Sequence, residues 1–229
     1  MANVVLVHGT TQSAAGFRRL ITSLEHRGHR TVAVDVPSGA ATTAEEYARL
    51  LAAQIPAGFD HPLIAAHSAA GLLMPALARE LDANHQVWLA AAVADYVGRR
   101  SLLAEIKQSP LDVFNTEWVG IDPTSDPVLA AYFLFHDANL ATLKEALLTI
   151  APCDLSAVYA ETPPEDPARI SSTYVLPTGD RTLSTTWMRR VARQRLRCEP
   201  IEIAAAAHNF YAARSEDVAA IIDEVAKTL

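Results

Sequence analysis

Leu63-Ile64-Ala65-Ala66-His67-Ser68-Ala69-Ala70-Gly71 is the stretch whose reading decides the fold. Leu63–Ala66 is a short apolar run of the kind expected for a strand covered on both faces, and the small residues after it lead straight into a helical pattern over Ala69–Leu81. A serine at such a junction is chemically special. The sharp turn lifts its Oγ above the sheet, and only small side chains fit two positions before and after it. Those positions are Ala66 and Ala70, where glycine is usual. Taken alone, the stretch reads equally well as an ordinary serine N-cap.

The sequence on either side shifts that balance. Apolar runs at Asn3–Val7, Thr31–Val36 and Val87–Ala94 alternate with helical patterns at Gly16–Arg27 and Thr43–Gln54, the rhythm of βαβ units around a parallel sheet. Thr42 or Thr43 can cap the second of these helices, with Glu45 and Glu46 at its positive end. From Val97 to about Asp166 the rhythm lapses into helical patches, loops and bulky residues such as Trp118, Tyr132, Phe133 and Phe135. Pro163, Pro164 and Pro167 mark the way out. The rhythm returns with strands at Ser172–Leu176 and Glu199–Ile203 and helices at Ser184–Leu196 and Ser215–Lys227, Ser215 being the expected N-cap of the last. The expectation is an α/β protein whose mostly parallel sheet, flanked by helices, comes from residues 1–96 and 171–229, with an inserted, mainly helical cap at 97–170.

Composition narrows the function. The 229 residues are 50% hydrophobic and 20% charged, which places the chain among folded proteins with one sizeable domain. A net charge of −7 disfavours nucleic acid as a partner. Cys153 and Cys198 form no CxxC pair, and neither a GxGxxG loop nor a P-loop occurs, so no metal or nucleotide cofactor is expected. Without a basic leader or an apolar run of about 18 residues, the chain reads as soluble and cytoplasmic with no membrane partner. An oligomer is compatible with all of this.

Three further segments carry chemistry. Val4-Val5-Leu6-Val7-His8-Gly9-Thr10 is a strand ending in His-Gly, a loop able to aim a backbone N–H at a developing oxyanion. Tyr174-Val175-Leu176-Pro177-Thr178-Gly179-Asp180 is a strand ending at an aspartate, and Ile201-Glu202-Ile203 leads through four alanines to His208. Ser68, Asp180 and His208 each lie just beyond a predicted strand, in the order nucleophile, acid, base. Asp95 also follows a predicted strand and is a second candidate for the acid; interval and chain order favour Asp180.

With these segments in hand, the chain resembles the α/β-hydrolase superfamily, in particular the small-cap branch containing plant methyl-ester esterases, hydroxynitrile lyases and bacterial EstC-like esterases. The Gly28-His29, strand, Asp35 segment and the 28-residue interval from Asp180 to His208 are similar to that branch. The resemblance implies an α/β-hydrolase fold, a triad of Ser68, Asp180 and His208, and an oxyanion hole made by the backbone N–H groups of Thr10 and Ala69. The implied activity is a cofactor-free serine esterase or lactonase acting on a small-molecule ester. A lyase or cyclase using the triad as a base is the first rival, and a binding protein that keeps only the fold is the second. The branch's lyases carry Thr and Lys where this chain has Gly9 and Asn209, which favours ester hydrolysis over cyanohydrin cleavage.

Phe17, Tyr96, Trp118, Tyr132, Phe133 and Phe210 are the expected apolar walls of the substrate pocket. No Lys or Arg lies between Asp112 and Phe135 to clamp an anion, so a neutral, apolar substrate is expected. His67 reads as a packing residue, and His136 as a helix start with Asp137 as N-cap. His26 and His29 lack further ligands, and the arginines at 189, 190, 193, 195 and 197 read as a solvated face.

Overall fold

The computed structural model describes residues 1–229. The sheet has six strands, β1 (Asn3–Val7), β2 (Arg30–Val34), β3 (Leu63–His67), β4 (His85–Leu89), β5 (Ser172–Pro177) and β6 (Ile201–Ile203), in the order β2-β1-β3-β4-β5-β6. All pairings are parallel. β3 and β4 are buried at every position, because helices cover both faces. The chain moves outward from β1 to β2 and then returns to the other side of β1 for β3. The carboxyl ends of β1 and β3 therefore flank the point where the strand order reverses, the usual crevice of open α/β sheets.

On the faces, α1 (Arg18–Glu25) lies against α10 (Ser215–Ala226), and α2 (Ala44–Ala52) against α3 (Met74–Glu80). Thr43 is the residue that caps α2. It accepts from Glu46 N–H while the Glu46 carboxylate accepts from Thr43 N–H, a reciprocal cap that contributes about 1 kcal/mol. Ser215 is not the cap of α10; it is the first helical residue, Arg214 holds the cap position, and no side chain caps that end.

Two expected elements are shorter than the apolar patterns suggested, and both changes shape the site. The helix expected from Ala69 is split into a 3-10 segment, Ser68–Leu72, and then α3, whose first turn accepts Pro75. Strand β4 ends at Leu89 rather than running to Ala94: Ala90 has φ +44°, and Ala92 N–H donates 2.8 Å to the Ser68 carbonyl. An apolar run marks burial, and here the buried chain bends toward the serine turn instead of pairing.

Between β4 and β5 lie α4 (Leu102–Gln108), α5 (Pro110–Val113), α6 (Pro127–Leu134), α7 (Leu140–Leu147) and α8 (Ser156–Ala160). This segment is tied back to the sheet layer by isolated bridges, Gln12 with Ile150 and Phe114 with Leu183. α9 (Thr185–Arg195) follows β5. No helix is long and apolar enough to cross a membrane.

Candidate active site

Ser68 follows β3 with φ +54°, a left-handed conformation that costs an L-residue about 1–3 kcal/mol and persists only when its surroundings hold it. Two glycines make that turn fit. A Cβ on Gly9 would stand 2.8 Å from Ser68 Cβ and 3.1 Å from the His67 carbonyl. A Cβ on Gly71 would collide with the Ala92 carbonyl. The backbone thus approaches the serine turn from β1 and from β4, which no larger residue at 9 or 71 permits.

His208 is delivered from the end of β6 by Ala204–Ala207, with Ala205 at φ +54° and its N–H held by Thr178 Oγ1 at 2.9 Å. His208 Nε2 lies 3.0 Å from Ser68 Oγ, and Nδ1 lies 2.7 Å from Asp180 Oδ2. The other oxygen of Asp180 accepts from Thr182 N–H at 2.6 Å and Leu183 N–H at 2.9 Å. The carboxylate is wholly buried and held on both oxygens, so it fixes the imidazole with its proton on Nδ1 and leaves Nε2 to accept from the serine hydroxyl. Asp95 is elsewhere: its carboxylate accepts from Gly98 N–H at 2.8 Å and faces Arg100 at 3.7 Å. Of the two candidate acids, only Asp180 reaches His208.

Two more buried histidines brace the loops. His67 Nε2–H donates to the His208 carbonyl at 3.1 Å, and burial holds this imidazole well below its ordinary pKa, with the neighbouring His208 ring adding to the effect. His8 Nε2 accepts from Val36 N–H at 2.8 Å, so its proton sits on Nδ1, 2.8 Å from the Gly9 carbonyl; burial lowers its pKa as well. Both rings are neutral struts, one behind His208 and one behind the His-Gly loop. His136 Nε2–H donates to the Gly179 carbonyl at 2.8 Å, bracing the loop that carries Asp180 from the segment between β4 and β5. Asp137 caps nothing: α7 is capped by Asn139, and Asp137 pairs with Arg214 at 3.3 Å.

Ser68, His208, Thr10 and Ala69 share the lining of a cavity of about 80 Å³. Thr10 N–H has no acceptor in the protein, and Ala69 N–H lies in the first helical turn, where an amide has no intrahelical acceptor. Both residues line the cavity beside Ser68.

Of the six expected walls, Trp118 lines this cavity. The other five do not. Phe17 and Phe210 are fully buried in the core, Phe17 against Tyr211 with ring centroids 4.4 Å apart. Phe133 is buried behind Trp118 at 5.4 Å, and Tyr132 is 42% exposed, donating to Glu117 under the Arg181 guanidinium. Tyr96 is half-buried in the turn that leaves β4. The walls missed in the sequence include Leu102, Phe114, Tyr159, Leu183 and Trp187. Trp187 sits on the buried face of α9, where a wall residue and a core residue have the same sequence pattern.

A more open cavity of about 480 Å³, the outer mouth, shares Thr10, Thr11 and Trp118 with the Ser68 cavity and carries Asp122 and Asp154. A separate cavity of about 380 Å³ lies between α3 and the proline stretch and includes none of the three hydrogen-bonded residues. Size therefore does not pick out the site; the chemistry does. The arginines expected as a solvated face are paired: on α9, Arg189 with Glu202, Arg193 with Glu199, and Arg190 and the largely buried Arg195 with Glu105, and beyond its end Arg197 with Asp166. His29 pairs with Asp223, and no group of three potential ligands gathers there.

Solved structures with similar folds include a methylesterase from Arabidopsis (13% identity, TM-score 0.76, covering 100% of both chains). They also include polyneuridine aldehyde esterase (17% identity, TM-score 0.77, 99% of each chain). A third is a pyrethroid hydrolase from Sphingobium faniae (16% identity, TM-score 0.78, 99% of this chain and 97% of that one). No curated protein matches the sequence. The model of the alpha/beta hydrolase family matches residues 4–221, and with the parallel sheet and the strand-end residues described above, the chain belongs to the alpha/beta hydrolase family.

Proposed function

We propose that this hydrolase is a serine esterase or lactonase that cleaves a neutral, largely apolar small-molecule ester through an acyl-enzyme. The observation that carries the reading is the unbroken chain of hydrogen bonds from Ser68 Oγ through the His208 ring to the buried Asp180. Ser68 Oγ attacks the ester carbonyl carbon as its proton passes to His208 Nε2, and the carbonyl oxygen becomes an oxyanion facing the amides of Thr10 and Ala69. The tetrahedral carbon collapses, the ester C–O bond breaks, and the departing alkoxide takes the proton from His208. Water then repeats the sequence, its proton passing to His208 and on to Ser68 Oγ as the acid leaves. Besides the ester and water, each step uses only groups of the chain.

The lining supports a neutral substrate. No Lys or Arg reaches the inner cavity, and the mouth carries carboxylates, so a substrate anion would meet no counter-charge and some repulsion. The names of the similar structures, a methylesterase, polyneuridine aldehyde esterase and a pyrethroid hydrolase, agree with ester cleavage.

Rapid mixing with p-nitrophenyl acetate tests the reading. A burst of nitrophenolate equal to the enzyme concentration, followed by slower turnover, is expected of an acyl-enzyme. A wild-type enzyme that releases product with no covalent acetyl group on Ser68 would overturn it.

A further inference from the structure

Trp187 walls the Ser68 cavity, and a buried carboxylate from the inserted segment fixes where its ring stands. Glu105 lies one helical turn after Leu102 on α4, so the two side chains leave the same face. Leu102 lines the cavity, while Glu105, 4% exposed, reaches behind it. Glu105 Oε1 accepts from Trp187 Nε1 at 2.9 Å and from Arg195 Nη2 at 3.0 Å, with Arg190 at 3.5 Å. Arg195 Nη1 also donates to the Val93 carbonyl at 2.5 Å. Val93 follows Ala92, whose N–H holds the Ser68 carbonyl. One carboxylate thereby joins the inserted segment, a wall of the cavity and the strand exit that grips the serine turn.

Adhesion alone does not explain the acid. An apolar residue of similar volume fills a helix joint without the cost of burying a charge. What the carboxylate adds is direction: an N–H···O bond selects one orientation of the indole, whereas apolar contact tolerates several. In a cavity of about 80 Å³, the tilt of one tryptophan decides how large a group fits beside the reacting carbonyl.

We infer that Glu105 is a positioning residue for substrate selection, holding the Trp187 indole as a fixed wall and thereby setting the largest group the Ser68 cavity admits. The inference rests on Ser68 being the nucleophile. It is tested with Glu105→Gln, Glu105→Leu, Trp187→Phe and the Leu/Phe double variant. Each is labelled with two fluorophosphonates that differ only in carrying a methyl or a cyclohexyl group on phosphorus, and each is examined by near-ultraviolet circular dichroism. Glu105→Gln keeps an acceptor for the indole and should hold the methyl-to-cyclohexyl rate ratio within about 2-fold of wild type. Glu105→Leu and Trp187→Phe should each change that ratio by about 10-fold, and the double variant should go no further than the larger single change. A folded Glu105→Leu protein with an unchanged ratio, equal slowing of both probes, or additive effects in the double variant would overturn the inference. If Glu105→Leu does not fold, Trp187→Phe carries the test alone, and an unchanged ratio there is equally fatal. If wild-type Ser68 takes neither probe, it is the nucleophile reading that fails, and the dichroism still decides on Glu105: Glu105→Leu must alter the tryptophan band that Trp187→Phe removes, and an intact band overturns the positioning role.

Discussion

The carboxyl end of the sheet and the segment between β4 and β5 meet at one cavity but are built differently. At the sheet end, every chemical group is fixed by close, buried contacts: Ser68 by its strained turn, Asp180 by two amides, His208 by the Asp180 carboxylate on its ring and the His67 ring on its carbonyl. In the inserted segment the helices run to eight residues at most, and large apolar side chains such as Val128, Leu140 and Leu148 stand in solvent. The first region is built for one geometry. The second shares the first region's hydrophobic core through residues such as Leu102, Val113, Leu134 and Val158, and is tied to it by contacts at Gln12, Leu183, Gly179 and Trp187. Reactivity should therefore depend on the sheet end and selectivity on the segment above it.

The sharpest way to break that division is at the serine and its base. Ser68→Ala and His208→Ala should each lower kcat/KM on a p-nitrophenyl ester by at least about 10³-fold, with similar losses and an unchanged melting curve, because nucleophile and base act as one unit. A Ser68→Ala enzyme that keeps a large share of turnover would favour a triad working only as a base. Next in size is the acid. Asp180→Asn should cost about 10²–10⁴-fold in kcat by favouring the wrong imidazole tautomer, while Asp95→Asn, which alters only a turn, should cost less than about 3-fold. Rates for the two folded variants decide between them.

Selectivity should respond to smaller changes. Trp118 stands between the inner cavity and its mouth, so Trp118→Ala should alter the ratio of kcat/KM for bulky and small esters by about 10-fold and spare the smallest ester. Equal loss on every ester would mean that Trp118 only supports Phe133. The smallest effect concerns stability. His67 has its pKa depressed in the folded state, so its stabilising contribution is present above the unfolded value of about 6.5 and is lost as pH falls below it. In that acid range the unfolded chain binds a proton that the folded one excludes, and His67 alone should add up to about 1.4 kcal/mol per pH unit to the loss of stability. Urea titrations of wild type and His67→Asn between pH 5 and 7 should differ in slope by about that amount; equal slopes would show that His67 takes up its proton in the folded protein.

How much of this could be read from the sequence follows the same division. β1 and β3 stand out because they are continuous apolar runs with a chemical residue at the end, and the order Ser68, Asp180, His208 needs no knowledge of packing. The bend at Ala90 was hidden because Ala90–Val93 are as apolar as the strand before them. The amides that hold Asp180 leave no mark in side-chain pattern at all. Pocket walls were the least legible. α6, Pro-Val-Leu-Ala-Ala-Tyr-Phe-Leu, is apolar on every side, so periodicity cannot say which face is inward; Tyr132 turns to solvent and its neighbour Phe133 to the core. Trp187 and Leu102 line the cavity from separate helices, α9 and α4, joined by the Trp187–Glu105 hydrogen bond, a tertiary pairing that the periodicity of neither helix reveals.

The central claim, that the sheet end presents Ser68 as a nucleophile activated by His208, is tested most directly by covalent labelling with a small fluorophosphonate and mapping of the adduct by peptide mass. The account predicts one adduct, on the peptide carrying Ser68, formed about 10³-fold more slowly in His208→Ala and absent in Ser68→Ala. No adduct on Ser68 in the folded wild-type protein, or one formed equally fast without His208, would contradict it.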